Sequence, residues 1–196
     1  MPTITPITEL EAVNAMLLSI GQAPVNTLAV SGLTDAAVAR TLLTDFTRRV
    51  LSRGFAFNQD DGYPLSPDVD GVVLIPPTAL KVNPDTPKIT ERRHPTKGRA
   101  LWNGPELTWT FAEPVSCRIT WGFPFEDLPE TARRYIATAA ARQFQARTVG
   151  SPILDRFLEE DVATAWMLLE REERAVRKTN LFSDNAVLGG FGSRSY

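Results

Sequence analysis

Apolar side chains recur every three or four positions in the segment after Thr8, a spacing that predicts an amphipathic helix. Thr8 and Glu11 have the spacing of a capping box, in which each side chain accepts a hydrogen bond from the other residue's backbone N–H. Gly21 supplies the left-handed conformation with which many helices end. The apolar positions are Leu10, Val13, Leu17 and Ile20. A first helix is therefore predicted between Thr8 and Gly21.

A second helix is predicted from about Thr34 or Asp35, either of which can cap it, to Arg53. Its apolar stripe consists of Val38, Leu42, Phe46 and Val50, and Gly54 closes it. Its C-terminal end carries a group of basic residues, Arg48, Arg49 and Arg53. Because positive charge is stabilised at the negative end of a helix dipole, we interpret this group as dipole partners in preference to a phosphate site.

Between Phe55 and Phe125 prolines are dense and apolar runs are short, a texture typical of a small sheet with irregular edges. The predicted strands are Phe55–Asn58, Val72–Ile75, Leu80–Val82, Ala100–Asn103, Leu107–Phe111 and Ser116–Trp121. The Asn103-Gly104 pair indicates a hairpin, and the following Pro105 favours a longer loop equally. We expect an insertion with a modest core of its own, formed by Trp102, Trp109, Phe111, Ile119 and Trp121.

Helical spacing returns after Leu128. Pro129 suits the first position of a third helix, which is predicted over Thr131–Val149 and ends at Gly150. Ser151 and Pro152 have the pattern of a cap and a first residue for a fourth helix, which extends to about Lys178. The apolar positions of the third helix are Tyr135, Ile136, Ala139 and Phe144. Those of the fourth are Ile153, Leu154, Phe157, Leu158, Trp166, Leu168, Leu169 and Val176.

Residues 179–196 are rich in Gly, Ser and Asn but also carry apolar side chains, at Leu181, Phe182, Val187, Leu188, Phe191 and Tyr196. Such a segment is typical of a tail that orders against a partner, and a frayed terminus is an equal alternative. The predicted fold class is α+β. A four-helix frame (two N-terminal and two C-terminal helices) carries a Pro-rich, mainly antiparallel β insertion and an extended C-terminal tail. The frame comprises residues 1–54 and 126–178, the insertion residues 55–125 and the tail residues 179–196.

Composition narrows the possible chemistry. Charges nearly balance, with 21 Lys and Arg against 23 Asp and Glu, whereas proteins that grip phosphates usually carry a basic excess. A single cysteine, Cys117, excludes an intrachain disulfide, and it is interpreted as a core residue. A single histidine, His94, excludes a His–His zinc pair. No stretch is apolar enough to span a membrane, and the N-terminus lacks the pattern of a secretory signal. We expect no cofactor and no metal.

The densest basic cluster lies in the segment ERRHPTKGR, which is predicted to be a polar loop. The charges of this cluster are Arg92, Arg93, Lys97 and Arg99. They could contact phosphates, but charge runs usually face water. His94 is interpreted as part of the same solvated loop and not as a catalytic base. A DNA-binding module is therefore the least favoured function.

Among possible enzymatic functions, glycoside hydrolysis is the main alternative. It needs two carboxyl groups across a cleft, about 5 Å apart in retaining enzymes. The available carboxylates are Glu126, Asp127, Glu130, Glu159, Glu160 and Asp161. Neighbouring residues on a helix do not face each other, so this signal is weak. The tryptophans at positions 102, 109 and 121 could stack on sugars, although aromatic residues at strand spacing more often form sheet core.

More distinctive motifs lie at the helix ends. They are Ser19-Ile20-Gly21 followed by Pro24-Val25, Ser52-Arg53-Gly54 leading into Phe55, and Leu128-Pro129 followed by Arg134-Tyr135. In order and spacing, the segments around them resemble the tail tubular protein A family of short-tailed, T7-like bacteriophages. The resemblance covers both helical ends and fades through residues 62–124.

The resemblance implies a structural virion protein without catalytic chemistry, which forms a dodecameric ring between the portal protein and the tail nozzle protein. Double-stranded DNA would pass through the ring during ejection without sequence-specific binding, and the chain would not insert into a membrane. The apolar tail residues, from Leu181 to Tyr196, are then candidate portal contacts. The Arg92–Arg99 cluster would face the DNA or the nozzle. We expect the protein at the head-to-tail interface of the virion, after assembly in the host cytoplasm.

Overall fold

The computed structural model describes residues 5–29 and 34–184. The chain forms two compact units: a helical unit, within Met1–Thr47 and Phe125–Tyr196, and a β unit, Arg48–Pro124. The described residues contain four α-helices and antiparallel β-sheets, so the α+β class predicted from the sequence is confirmed. The predicted division into frame, insertion and tail domains stays a prediction.

Helix α1 spans Glu9–Ser19, and both of its ends are built by local interactions. The Thr8 hydroxyl oxygen accepts from the Glu11 backbone N–H at 3.2 Å, and the Thr8 backbone N–H donates to the Glu11 carboxylate at 2.8 Å. Gly21 has a φ of +76° and donates its N–H to the carbonyl of Leu18. The predicted capping box and glycine stop are therefore confirmed.

Helix α2 spans Thr34–Leu51 and ends two residues earlier than predicted. A short 3₁₀ turn, Phe125–Asp127, precedes helix α3, which spans Glu130–Thr148. Pro129 is the N-cap residue of α3 and not its first helical residue. The buried side of α3 is rich in alanine around Ile136 and Phe144, and helices α1 and α4 both pack against it.

Helix α4 spans Pro152–Asp184, with the predicted start confirmed by a hydrogen bond from the Leu154 N–H to the Ser151 hydroxyl. The predicted end near Lys178 is wrong, and so is an extended chain over residues 179–184. No Gly or Pro interrupts this stretch, and ion pairs one turn apart, Glu170–Arg174 and Glu173–Arg177, stabilise the turns before it. The Leu181 and Phe182 side chains lie outside the described structure, as do residues Val187, Leu188, Phe191 and Tyr196.

The β unit contains five strands among its described residues. They are β1 (Gln59–Leu65), β2 (Ala79–Pro84), β3 (Ile89–His94), β4 (Gly98–Asn103) and β5 (Val115–Trp121). One antiparallel sheet has the order β1-β5-β2, and β3 pairs with β4 in a hairpin. The core lies between these elements and consists of Leu65, Val73, Ile75, Ala79, Val82, Leu101, Val115, Cys117 and Ile119.

Three of the predicted strands are not regular strands. Residues 55–58 form a turn, while Val72–Ile75 and Leu107–Phe111 take part only in isolated bridges. Strands β1 and β3 were not predicted, because their side chains are mostly exposed and charged or interrupted by Gly62 and Pro64. Their pairing relies on backbone hydrogen bonds to a neighbouring strand, which hydrophobic alternation cannot reveal.

The predicted core of the β unit is only partly right. Ile119 is fully buried, and Phe111 and Trp121 pack against the core from its edge. Trp102 and Trp109 are only half-buried and contact each other, with ring centroids 4.9 Å apart. Aliphatic residues of the loop between β1 and β2, chiefly Val73 and Ile75, fill the core in place of these two tryptophans.

Candidate functional site

Helix α4 packs on α3 through one face only. Leu169 is buried on that face, and the Trp166 ring contacts the Tyr135 ring of α3 at a centroid distance of 4.9 Å. The Arg142 guanidinium of α3 donates to both oxygens of Asp155 at 2.8 and 3.0 Å, and these bonds hold the pKa of the Asp155 carboxyl below its ordinary value. The α3–α4 pair is therefore held by a thin apolar seam together with polar contacts near the start of α4.

A second row of mostly apolar side chains, exposed to solvent or to a groove that α4 shares with α1 and α3, runs along α4. It consists of Ile153, Phe157, Thr164, Leu168 and Ala175, and we call it the outer stripe. The intervals between these residues alternate between four and seven, which keeps them on one side of a helix. Ile153 is 72% exposed, Phe157 64% and Leu168 51%.

The outer stripe is about 33 Å long by the standard helical rise. It is broadened by two flanking apolar residues, Leu154 at 42% and Met167 at 60% exposure. A helix with apolar side chains on more than one face is typical of a helix that packs against more than one neighbour. The row is interrupted by two exposed charged residues, Glu160 between Phe157 and Thr164 and Arg171 between Leu168 and Ala175. Exposed apolar side chains bordered by polar ones mark an interaction surface.

A groove on the helical unit offers a second apolar surface. It has a volume of about 400 Å³ and is lined by Ala37, Val38, Thr41, Leu42 and Asp45 of α2 and by Arg147 of α3. Val38 is 55% exposed within it. We call this surface the α2 groove. It lies on helices α2 and α3 and does not include any residue of the outer stripe.

Two of the six carboxylates that could serve glycoside hydrolysis, Glu126 and Glu130, hold the N-terminal segment. Glu130 accepts from the Ile7 backbone N–H at 2.8 Å, and Glu126 accepts from that of Glu9 at 2.7 Å. Arg133 donates to the Ile7 carbonyl at 3.0 Å and pairs with Glu126 at 3.2 Å. These groups are occupied in fastening the start of α1 to the start of α3.

The basic segment predicted to be a loop is a β-hairpin, since Arg92 and Arg93 lie in β3, Arg99 lies in β4, and only residues 95–97 form the turn. Lys97 bridges Asp68 and Asp70 at 2.6 and 2.5 Å, which raises the pKa of the ammonium group and lowers that of Asp68. The hairpin is therefore a folded element whose turn is fastened to the 68–71 turn.

The remaining charges of the hairpin differ in how they are engaged. Arg99 pairs with Glu91 at 2.7 Å and donates to the Ala79 carbonyl at 2.7 Å. The Arg92 guanidinium lies 5.1 Å from the centre of the Trp102 ring. Arg93 is exposed and has no ion pair with the described residues. Two of the four predicted cations are thus neutralised locally, which leaves Arg92 and Arg93 as the charges available to a partner.

The chain matches the family model described as tail tubular protein over residues 10–179. It is also 29% identical over 142 residues to tail tubular protein A of Klebsiella phage KP34, an alignment that covers 72% of this chain and 74% of that protein. The chain belongs to the tail tubular protein family. The resemblance found in the helix-end motifs is confirmed.

As a tail tubular protein, the molecule is a structural component of a phage tail. Its described residues contain no cluster of His, Cys, Asp and Glu suited to a metal ion. Among residues 5–29 and 34–184, no helix is long and apolar enough to cross a lipid bilayer. The outer stripe and the α2 groove of the helical unit are features of this tail tubular protein that its fold leaves unexplained.

The buried thiol of the tail tubular protein gives a direct test of its packing. Cys117 lies in the core of the β unit, and burial raises the pKa of the Cys117 thiol to about 11. We expect the native thiol to react with a disulfide reagent at pH 8 at least about 100-fold more slowly than a free cysteine, because so little thiolate is present. Absorbance on release of the reagent's chromophore measures the rate.

The control for this experiment is the same protein in concentrated urea, where one thiol per chain should react at the rate of a free cysteine. A native protein that reacts as fast as the unfolded one would show that Cys117 is not part of a closed core.

Proposed function

We propose that this tail tubular protein forms the adaptor ring that joins the portal to the tail nozzle, and that DNA is ejected through its centre. The outer stripe of α4 carries the proposal. A monomer would leave this apolar surface in water, whereas a ring buries it in every copy. Repeated contacts between two different surfaces of one chain close into a ring when the rotation between neighbouring copies divides a full turn.

The two units would have different partners in this arrangement. The helical unit would form the ring body and the portal-facing side, with the tail residues Leu181, Phe182, Val187, Leu188, Phe191 and Tyr196 as portal contacts. The β unit would meet the nozzle, with Arg92 and Arg93 of the basic hairpin at the nozzle or near the DNA. Multiple weak contacts, one from each copy, would add to a firm attachment at both faces.

The charge of the chain supports a channel through which DNA passes and not a surface that binds DNA tightly. The formal net charge is −2 per chain, and Lys97 and Arg99 already pair with carboxylates. Proteins that hold DNA tightly neutralise many phosphates and release their counterions. A ring of this composition would let duplex DNA slide without sequence-specific contacts. No step of this function requires catalysis, and we propose that the protein is not an enzyme.

Native mass spectrometry of the purified chain, alone and mixed with the portal protein, tests the ring. We expect a single closed species, a dodecamer, at micromolar concentration. Size-exclusion chromatography with light scattering provides an independent mass. A chain that stays monomeric under both conditions contradicts the proposal. Open assemblies of mixed length would contradict the closed ring while leaving self-association intact.

A further inference from the structure

We infer that Asn103 is a deamidation site that the native fold keeps unreactive through hydrogen bonds in the turn between Asn103 and Thr108. Asn103 ends strand β4 and is the only asparagine of the chain that glycine follows. Asparagine is among the thermally labile residues of proteins. The reaction needs no enzyme, because the nucleophile is the backbone nitrogen of the next residue. It is also independent of ring assembly, so its test and the test of the proposed function can fail separately.

The modification proceeds in two steps and consumes one water molecule. The Gly104 backbone nitrogen attacks the side-chain carbonyl carbon of Asn103 and forms a C–N bond. The side-chain nitrogen leaves as ammonia and takes the proton of the Gly104 N–H. Water then breaks the cyclic imide at one of its two carbonyl carbons, adding a hydroxyl to that carbon and a proton to the nitrogen. The product is aspartate or isoaspartate at position 103.

The packing of the turn requires glycine at position 104. A Cβ at this residue would lie 2.5 Å from the Lys88 carbonyl oxygen, closer than real Cβ contacts. Glycine is the residue that allows such a close approach of two backbone segments. It is also the residue whose nitrogen is least hindered in an attack on the preceding side chain. The fold therefore retains the reactive pair, and protection has to come from hydrogen bonds.

The attacking nitrogen is engaged in the native turn. The Gly104 N–H donates to the Lys88 carbonyl at 3.2 Å. The nitrogen becomes a nucleophile only when it loses its proton, and this hydrogen bond withholds the proton from solvent base. The preceding backbone is fixed as well, since the Asn103 N–H donates to the Thr108 carbonyl at 3.0 Å and accepts in return from the Thr108 N–H at its own carbonyl, at 3.3 Å.

The Asn103 side chain is engaged at both of its polar atoms. Its nitrogen donates to the Glu106 carboxylate at 3.1 Å, and its oxygen accepts from the Glu106 backbone N–H at 3.4 Å. Attack converts the planar side-chain carbon into a tetrahedral one, which moves both polar atoms. Departure of ammonia then removes the donor to the carboxylate altogether. The bonds to Glu106 therefore oppose the reaction from the side of the electrophile.

The product cannot restore the lost contact. A carboxylate at position 103 has no N–H to donate, and it places a second negative charge beside the Glu106 carboxylate. Isoaspartate also adds a methylene group to the backbone at the residue that pairs with Thr108. Deamidation is therefore expected to leave the turn open once it has occurred.

Peptide mapping by mass spectrometry, after incubation of the full chain at pH 8, tests the site. Deamidated Asn103 should accumulate at least about tenfold more slowly in the native protein than in guanidinium chloride, since a hydrogen bond must break before the attack. In native buffer Glu106→Ala should react roughly threefold or more faster than the unaltered chain. Glu106→Gln is the matched control: its side-chain oxygen still accepts from Asn103, so its rate should stay close to the unaltered one.

A second control, Glu113→Ala, removes an exposed carboxylate of the same unit outside the turn and should not change the rate. Equal rates in the native and unfolded chain overturn the protection, and no reaction in the unfolded chain overturns the lability of the pair. A rate for Glu106→Ala no higher than that for Glu113→Ala overturns the role of Glu106. If circular dichroism shows that Glu106→Ala does not fold, the native and unfolded rates of the unaltered chain still decide whether the fold protects Asn103.

Discussion

Replacing Phe157 and Leu168 together by aspartate is expected to convert the ring into folded monomers. Both side chains are more than half exposed in the isolated chain and lie on the outer stripe. Burial of a large apolar side chain is worth about 1.5–3 kcal/mol, so each interface would lose roughly 3–6 kcal/mol before the cost of burying two carboxylates is added. Such a loss weakens association by at least about 100-fold. Light scattering over a range of protein concentrations measures it.

The fold of this double variant should be unchanged, because substitutions at exposed positions typically alter stability by no more than about 0.5 kcal/mol each. Ala163→Asp is the matched control: it adds a carboxylate at an exposed position of the same helix that is not one of the five outer-stripe residues. This control should assemble like the unaltered protein. Rings that persist in the double variant at the same concentrations would show that the outer stripe does not mediate assembly.

Replacing Asn58 by leucine is expected to destabilise the β unit severely. The Asn58 side chain is 1% exposed. Its oxygen accepts from the Phe55 N–H at 2.8 Å, and its amide nitrogen donates to the carbonyls of Leu51 at 3.0 Å and of Trp121 at 2.7 Å. Leucine has a similar volume but cannot form any of these bonds. The Phe55 N–H and the Trp121 carbonyl would each lose this hydrogen bond in a buried site, at a cost of about 1–3 kcal/mol each, whereas the Leu51 carbonyl still accepts from the Gly54 N–H at 3.1 Å.

We therefore expect the free energy of unfolding to fall by roughly 2–6 kcal/mol. Urea denaturation followed by tryptophan fluorescence measures the change. The control is Asn103→Leu, since the Asn103 side chain donates to the Glu106 carboxylate at 3.1 Å and accepts from the Glu106 N–H at 3.4 Å, both at an exposed site. That variant should lose less than about 1 kcal/mol. Equal losses for the two variants would show that the Asn58 hydrogen bonds do not organise the turn.

The helix ends could be predicted from sequence because the interactions that form them are local. Thr8 and Glu11 satisfy backbone groups at the start of α1, and Gly21 bonds the Leu18 carbonyl at its end. Ser151 accepts from the Leu154 N–H at the start of α4, and each of these bonds spans three residues. The two strands missed, β1 and β3, have no such local signature. Strand β1 pairs with β5, which is more than fifty residues away in the chain, and its side chains contribute little to the core.

The role of Asn58 could not be predicted from the sequence for the same reason, because its partners are distant in the chain. In the sequence it ends an apolar run and favours a strand, but the structure buries it as the centre of a turn. Its partners lie before it at Leu51 and far after it at Trp121. Only the folded chain brings these carbonyls to one amide group, since no periodic pattern relates the three positions.

Some properties of helix α4 follow from the sequence, and others follow only from the tertiary structure. Its apolar positions, its capped start and its acidic-to-basic polarity follow from the sequence, because they depend on helical periodicity and on the helix dipole. Which of its apolar residues pack against α3 was decided only in three dimensions, where Leu169 is buried and Phe157 and Ile153 are left in solvent. Helix α3 covers one face of α4, and apolar side chains on another face remain exposed. Because the sequence does not show which face α3 covers, only the tertiary structure identifies the exposed face as a candidate interface.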